Sequence, residues 1–233
     1  FKISAVPFHF WTPDTYEGAP MPVTAFLSVA SKAGGFVALL TVIKFGFFPS
    51  QDSWEPVLWV LAAASMIFGN LVALRQTNIV RMLAYSSIAQ GGFILVPLAV
   101  AGDGQAARSS FEAVVIYLFI YAAMNLGAFA VAIAVARRTG NTEIESYSGL
   151  GQASPWLAVT MTFFLFSLAG IPPFAGWFAK LVLFRSVLDA ASPSAIVLGV
   201  IAALGSVIAF FYYAAKFMEF LLFGVFAFFG IHT

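Results

Sequence analysis

The sequence predicts an all-α polytopic membrane protein, and three observations carry that prediction. Of the 233 residues, 61% are hydrophobic and 9% are charged, where a soluble domain carries roughly a quarter charged. Apolar runs long enough for the ~20 residues that cross a hydrocarbon core recur at short intervals. These runs far exceed the length of barrel strands, and backbone groups cannot go unpaired in lipid, so they read as the helices of a bundle.

In chain order, Phe1-Lys2-Ile3-Ser4-Ala5-Val6 reads as the inside of a helix whose beginning is absent, so a piece of a longer chain is expected. A first break follows at Pro7, and a polar, turn-rich stretch runs from Thr12 to Pro20. Apolar runs then fall near residues 20–46, 54–74, 80–101, 111–136, 155–188 and 193–218. The fifth is too long for one straight span and is interrupted by Gly170-Ile171-Pro172-Pro173, where proline removes backbone donors. Residues 219–233 form an atypical apolar tail that is too short to cross a bilayer. Summing basic residues over alternate connections sets Arg75, Arg81, Arg137, Arg138 and Lys216 on one side against Lys44, Arg108 and Arg185 on the other. The richer side is expected to be cytoplasmic, or matrix in an organelle.

Composition also excludes several functions. With 11 basic and 10 acidic residues the net charge is +1, so neither a nucleic-acid surface nor a polybasic lipid-binding arm is expected. The absence of cysteine removes disulfides, thiolate metal sites and iron–sulfur clusters, and two distant histidines make no haem or zinc site. Any redox chemistry belongs in another subunit.

Three lysines, Lys2, Lys32 and Lys180, lie inside stretches otherwise built from Phe, Leu, Val, Ala and Gly. An ammonium at bilayer depth costs ~3 to more than 10 kcal/mol, so such a lysine is by default a hypothesis about an ion or proton path. Two of them neighbour helix breaks of similar wording, because Pro7-Phe8 with Trp11 echoes Pro173-Phe174 with Trp177. Paired Pro/Gly-broken segments are the trace of an internally repeated transporter, the alternative being two proline kinks and a chance match.

Other polar residues admit two readings each. His9 lies seven positions after Lys2, on the same face of an unbroken helix, and is a candidate proton relay or a cap beside Pro7. Tyr117, Tyr121 and Asn125 repeat at i, i+4 and i+8 and either hold a water chain or bond between helices. Ser28 precedes Lys32 by one turn, and Ser86, Ser87 and Gln90 form a polar patch, with the same alternatives. Glu112 is expected at a helix start, where the dipole favours a carboxylate, and carries no transport role.

The words Lys2-Ile3-Ser4-Ala5-Val6-Pro7-Phe8-His9, Trp11-Thr12-Pro13-Asp14, Tyr16-Glu17-Gly18-Ala19-Pro20 and Ala30-Ser31-Lys32 resemble the subunit N family of proton-pumping NADH:quinone oxidoreductase, respiratory complex I. Gln76-Thr77-Asn78-Ile79, Arg81 to Gln90 and Gly170 to Lys180 extend that resemblance over residues 1–218. It implies an antiporter-like helical bundle with inverted repeats and broken helices. Residues 1–46 would close the first repeat, and 47–218 would form the second, with its fourth helix broken near 170–176. The resemblance further implies that Lys2, Lys32 and Lys180 transfer protons along a buried axis. Its partners would be other complex I membrane subunits, above all neighbouring antiporter-like ones, together with the lipid bilayer. No cofactor is expected in this chain; quinone, NADH, FMN and iron–sulfur clusters would sit in partner subunits. The location implied is a bacterial plasma membrane, or a mitochondrial inner or thylakoid membrane. An Mrp-type cation/proton antiporter subunit and a non-conducting scaffold are the alternatives.

Overall fold

The computed structural model describes residues 1–102 and 105–221, and all regular elements among them are helical. They are α1 (Trp11–Gly18), α2 (Met21–Phe26), α3 (Lys32–Val42), α4 (Gln51–Ala73), α5 (Ile79–Ala99), α6 (Gln105–Thr139), α7 (Leu150–Ala153), α8 (Pro155–Ala169), α9 (Ala175–Ala190) and α10 (Pro193–Leu221). The expected tail lies, from residue 222 on, outside the described residues. The chain is a multi-pass integral membrane protein: four stretches among the described residues are long and apolar enough to cross a bilayer, and the shorter apolar α8 supplies part of a further crossing.

The first of those stretches, Met21–Ala73, runs through 53 helical residues. At 1.5 Å per residue it would reach about 80 Å, more than twice a bilayer core. The backbone resolves this by leaving helical geometry at Phe47 (φ −119°, ψ 4°), just before the 3₁₀ turn Phe48–Ser50, and at its last residue Ser50 (φ −105°, ψ 35°). Two spans therefore form where the sequence predicts two. Between α2 and α3 the helix widens into a π turn over Leu27–Ser31, immediately before Lys32.

Two expectations are corrected. Residues 1–10 form turns rather than helix, so Lys2 and His9 share no helical face. The cause is local: Ser4 sits at φ 60°, Pro7 has no donor, and the Val6 N–H is satisfied by the Ser65 hydroxyl of α4 at 2.9 Å. Helix α6 begins six residues before the predicted start at 111, which places Glu112 two turns inside it, paired with Arg108 at 3.2 Å. That early start carries Arg108, Ser109 and Ser110, polar residues that a search for apolar runs passes over.

Helix α5 is the axis of the molecule. Of its residues only Arg81 and Tyr85 are not buried, and α4, α6, α9, α10 and α1 all pack on it. The α4–α5 approach depends on glycine. A Cβ on Gly69 would fall 2.6 Å from the Ala89 nitrogen, and one on Gly92 would fall 2.8 Å from the Ala62 oxygen. Small residues at such crossings let backbones close up where lipid offers no hydrophobic drive.

The two ends are tied differently. At one, Asn78 caps α5 through the Val80 and Arg81 amides and reaches across to Thr142, forming a single antiparallel bridge with Glu143. Arg81 pairs with Asp14 at 2.9 Å and Glu17 at 2.6 Å, holding α1 against α5. At the other, Trp59 donates to the Ser194 carbonyl, and Glu55 accepts from the Gly102 amide.

Candidate functional site

Helices α8 and α9 are the two halves of one broken span. The missing N–H groups of Pro172 and Pro173 leave the carbonyls of Leu168 and Ala169, four residues earlier, without their helical donors. Gly170 turns the chain out of α8 in the left-handed region (φ 81°, ψ 42°), its amide still bonded to Phe166 and Ser167. Two side chains take up the freed carbonyls. Gln90 of α5 donates to Leu168 at 3.0 Å, and the Lys180 ammonium of α9 donates to Ala169 at 2.5 Å. Lys180 is 3% exposed, and its Nζ lies 5.0 Å from the centroid of the Phe93 ring, a cation–π position. The carbonyl end of α8 also presents the negative pole of its dipole to this cation.

Lys32 stands on the opposite side of α5, at 1% exposure, and donates to the carbonyl of Ser87. Gly91 lies beside it: a Cβ there would stand in ordinary contact with Lys32 Nζ at 3.6 Å and more tightly against the Ile3 oxygen at 3.3 Å. The turn of the first break thus lies against the same stretch of α5 as Lys32. Neither Lys32 nor Lys180 has a carboxylate partner among the described residues.

Between the two lysines the polar patch of α5 meets one face of α6. Tyr117 donates to Gln90 Oε1 at 2.8 Å, Tyr121 to the Ser28 carbonyl at 3.2 Å, and Asn125 to the Ser28 hydroxyl at 2.7 Å. All are buried. The i, i+4, i+8 face read from the sequence is therefore a buried edge of hydrogen-bonding groups, with Tyr121 and Asn125 on Ser28, one turn before Lys32, and Tyr117 on Gln90, which bonds the carbonyl next to the one that Lys180 holds.

The structure places the remaining predicted residues elsewhere. Lys2 is exposed beside α3, its Cβ 3.5 Å from where a Cβ of Gly35 would stand. His9 packs edge-on against Phe68 at 4.5 Å between centroids, its Nδ1 buried without a hydrogen-bond partner. Sequence reading missed the carbonyls of Ser87, Leu168 and Ala169 as lysine and glutamine acceptors. For the last two a signal existed, since Pro172 and Pro173 name the carbonyls they release.

The two breaks also share a backbone course. Ser4 (φ 60°) and Gly170 (φ 81°) both take positive φ three residues before Pro7 and Pro173. In both, the phenylalanine after the proline closes a turn, Phe8 onto Ala5 and Phe174 onto Ile171. The family model for the transmembrane segment of NADH:quinone oxidoreductase and Mrp antiporter proteins matches residues 1–208. The chain belongs to this family.

Within the family, the chain is 52% identical over 191 residues to a protein from Heliobacterium modesticaldum named NADH-quinone oxidoreductase subunit N, covering 81% of this chain and 39% of that one. Among solved structures, respiratory complex I from Thermus thermophilus with bound aureothin contains a chain 32% identical, superposing with a TM-score of 0.75 over 95% of this chain and 47% of that one. The Mrp complex from Dietzia contains one that is 27% identical, with a TM-score of 0.84 over 95% and 40% respectively. The chain spans about two fifths of the length of the curated relatives it matches.

Proposed function

We propose that this chain is part of a proton-translocating membrane-arm subunit of an NADH:quinone oxidoreductase, in which quinone reduction elsewhere in the assembly drives protons along Lys32 and Lys180, with Lys2 at the exposed end of the line. The observation that carries this reading is the setting of the two buried lysines. Both ammonium groups rest on main-chain carbonyls without a counter-charge among the described residues, and the buried pairs Tyr117–Gln90 and Asn125–Ser28 line the α5–α6 face near them. An ammonium can give up and regain its proton, and a change in the charges around it switches it between capture and release. Arginine would not serve, because guanidinium stays charged.

Residues 1–46 would end one inverted repeat and 47–218 form the next; the matching course of the two proline breaks supports that division. NADH, FMN, iron–sulfur clusters and the quinone would be held by partner subunits, the nearest being other antiporter-like ones. His9, with an unpaired nitrogen beside the first break, is a candidate relay. The Mrp-type alternative shares the fold, and the higher identity to proteins named for quinone oxidoreductase favours the redox-driven reading. The scaffold alternative predicts lysines neutralised by carboxylates, which Lys32 and Lys180 lack among the described residues.

The test is to change Lys32 or Lys180 to Met in the intact subunit within its complex and to follow quinone reduction and proton pumping together in sealed vesicles. Both are expected to fall with assembly retained. Unchanged turnover and an unchanged proton-to-electron ratio would remove the lysines from the path.

A further inference from the structure

A second buried polar cluster lies on the side of α5 turned away from Lys32. Tyr213 of α10 shares a hydrogen bond with Ser86, and Tyr212 donates to Asn70 Oδ1 at 3.2 Å. Asn70 in turn donates to the Met66 carbonyl at 2.8 Å. The two tyrosine rings are 4.4 Å apart, and none of these four residues is more than 2% exposed. Gly205 keeps α10 close, since a Cβ there would stand 3.0 Å from Asn70 Nδ2. The cluster meets the lysine line at one point, since Ser86, the partner of Tyr213, lies one helical turn before Gln90 on α5, the amide that bonds Tyr117 and Leu168. It has a second direction. Lys216, four residues and one turn beyond Tyr212, is partly exposed toward the end of the bundle that carries Arg75 and Arg81.

We propose that Tyr212, Tyr213 and Ser86, with Asn70 holding the Tyr212 hydroxyl in place, form a branch of the proton path, joining the turn of Gln90 to the membrane face marked by Lys216. This deepens the proposed function and rests on it. Each hydroxyl accepts a proton on oxygen as it gives up its own, then resets by rotation about its C–O bond. Water carries the steps between the branch and its two ends. In sum, a hydronium at the Lys216 end becomes water and the neutral amine of Lys180 becomes ammonium, so the tyrosines and the serine finish uncharged. Buried polar groups at a helix crossing also serve as simple adhesive, and the experiment separates the two roles.

Tyr213→Phe removes one hydroxyl and keeps the ring. In the assembled complex in sealed vesicles it is expected to lower the pumping rate at least about tenfold and to raise the solvent deuterium isotope effect, with thermal stability near that of the parent. A stability loss with pumping, the proton-to-electron ratio and the isotope effect unmoved would overturn the branch. Should Tyr213→Phe fail to assemble, Ser86→Ala breaks the same bond from the α5 side and is read the same way. Lys180→Met measured in parallel keeps the two ideas apart: if it stops pumping while Tyr213→Phe does not, only the branch falls, and if both leave pumping intact, the lysine path falls with it.

Discussion

At Ser4 and at Gly170 the chain takes the same left-handed step three residues before a proline, yet the two breaks meet different surroundings. The downstream one is walled in by α5 and α9, so its freed carbonyls are claimed by Gln90 and by the Lys180 ammonium. The upstream one lies across α4, where a serine hydroxyl takes the Val6 amide, a Ser4–Thr12 bond of 2.8 Å closes the turn, and Lys2 stays exposed. Proline and the residue three before it set the backbone course. Which side chains reach the exposed carbonyls, and so whether a charge is held there, is set by the helices that pack against the break.

The most severe way to disturb this contrast is Gly170→Ser. It places a Cβ where φ is 81° and where the Lys180 Cδ would be 2.6 Å away. Left-handed backbone costs ~1–2 kcal/mol for an L-residue, and overpacking adds ~1–3 kcal/mol. A loss of roughly 3 kcal/mol in thermal unfolding of the solubilised complex is expected, together with reduced pumping as Lys180 is pushed off Ala169. Less drastic is Gln90→Leu, which strands the Leu168 carbonyl and the Tyr117 hydroxyl. About 1–3 kcal/mol is expected for an unsatisfied buried group, and quinone-coupled pumping should drop while the complex still assembles; full pumping in this variant would show that the lysines communicate without the amide. Smallest is the reverse exchange, Ser4→Gly. Relief of the left-handed residue and loss of the hydroxyl that accepts from Thr12 nearly offset, so an unfolding free energy within about 0.5 kcal/mol of the parent is expected. A large loss there would mean that the upstream break, too, is held by its surroundings rather than by its backbone.

Much of the site was legible before any coordinates. Lys32 and Lys180 stood out by cost, although the same argument also singled out Lys2, which is exposed, and the Tyr117, Tyr121, Asn125 spacing fixed a shared face because the helical period fixes it. The lysines' acceptors were harder to see, since they are backbone atoms; only the adjacent prolines betray two of them, and nothing in the sequence marks Ser87. Ser86 and Ser87 read as one patch but act differently: the Ser86 hydroxyl meets Tyr213 of α10, whereas Ser87 offers its main-chain carbonyl to Lys32 of α3 and turns its hydroxyl back to Ala84.

The sequence by itself determined the class, the spans and the breaks, for a physical reason: hydrocarbon thickness sets the length of an apolar run, and proline cannot donate. It could not distinguish α5, buried on nearly all sides, from α10, whose Val200, Leu204, Val207 and Phe211 face outward. In lipid the outside of a helix is as apolar as its inside, so composition carries no record of which face is covered. Only the packing of α4, α6, α9 and α10 around α5 decided that Lys32 and Lys180 approach the same helix from opposite sides, with Gln90 between them.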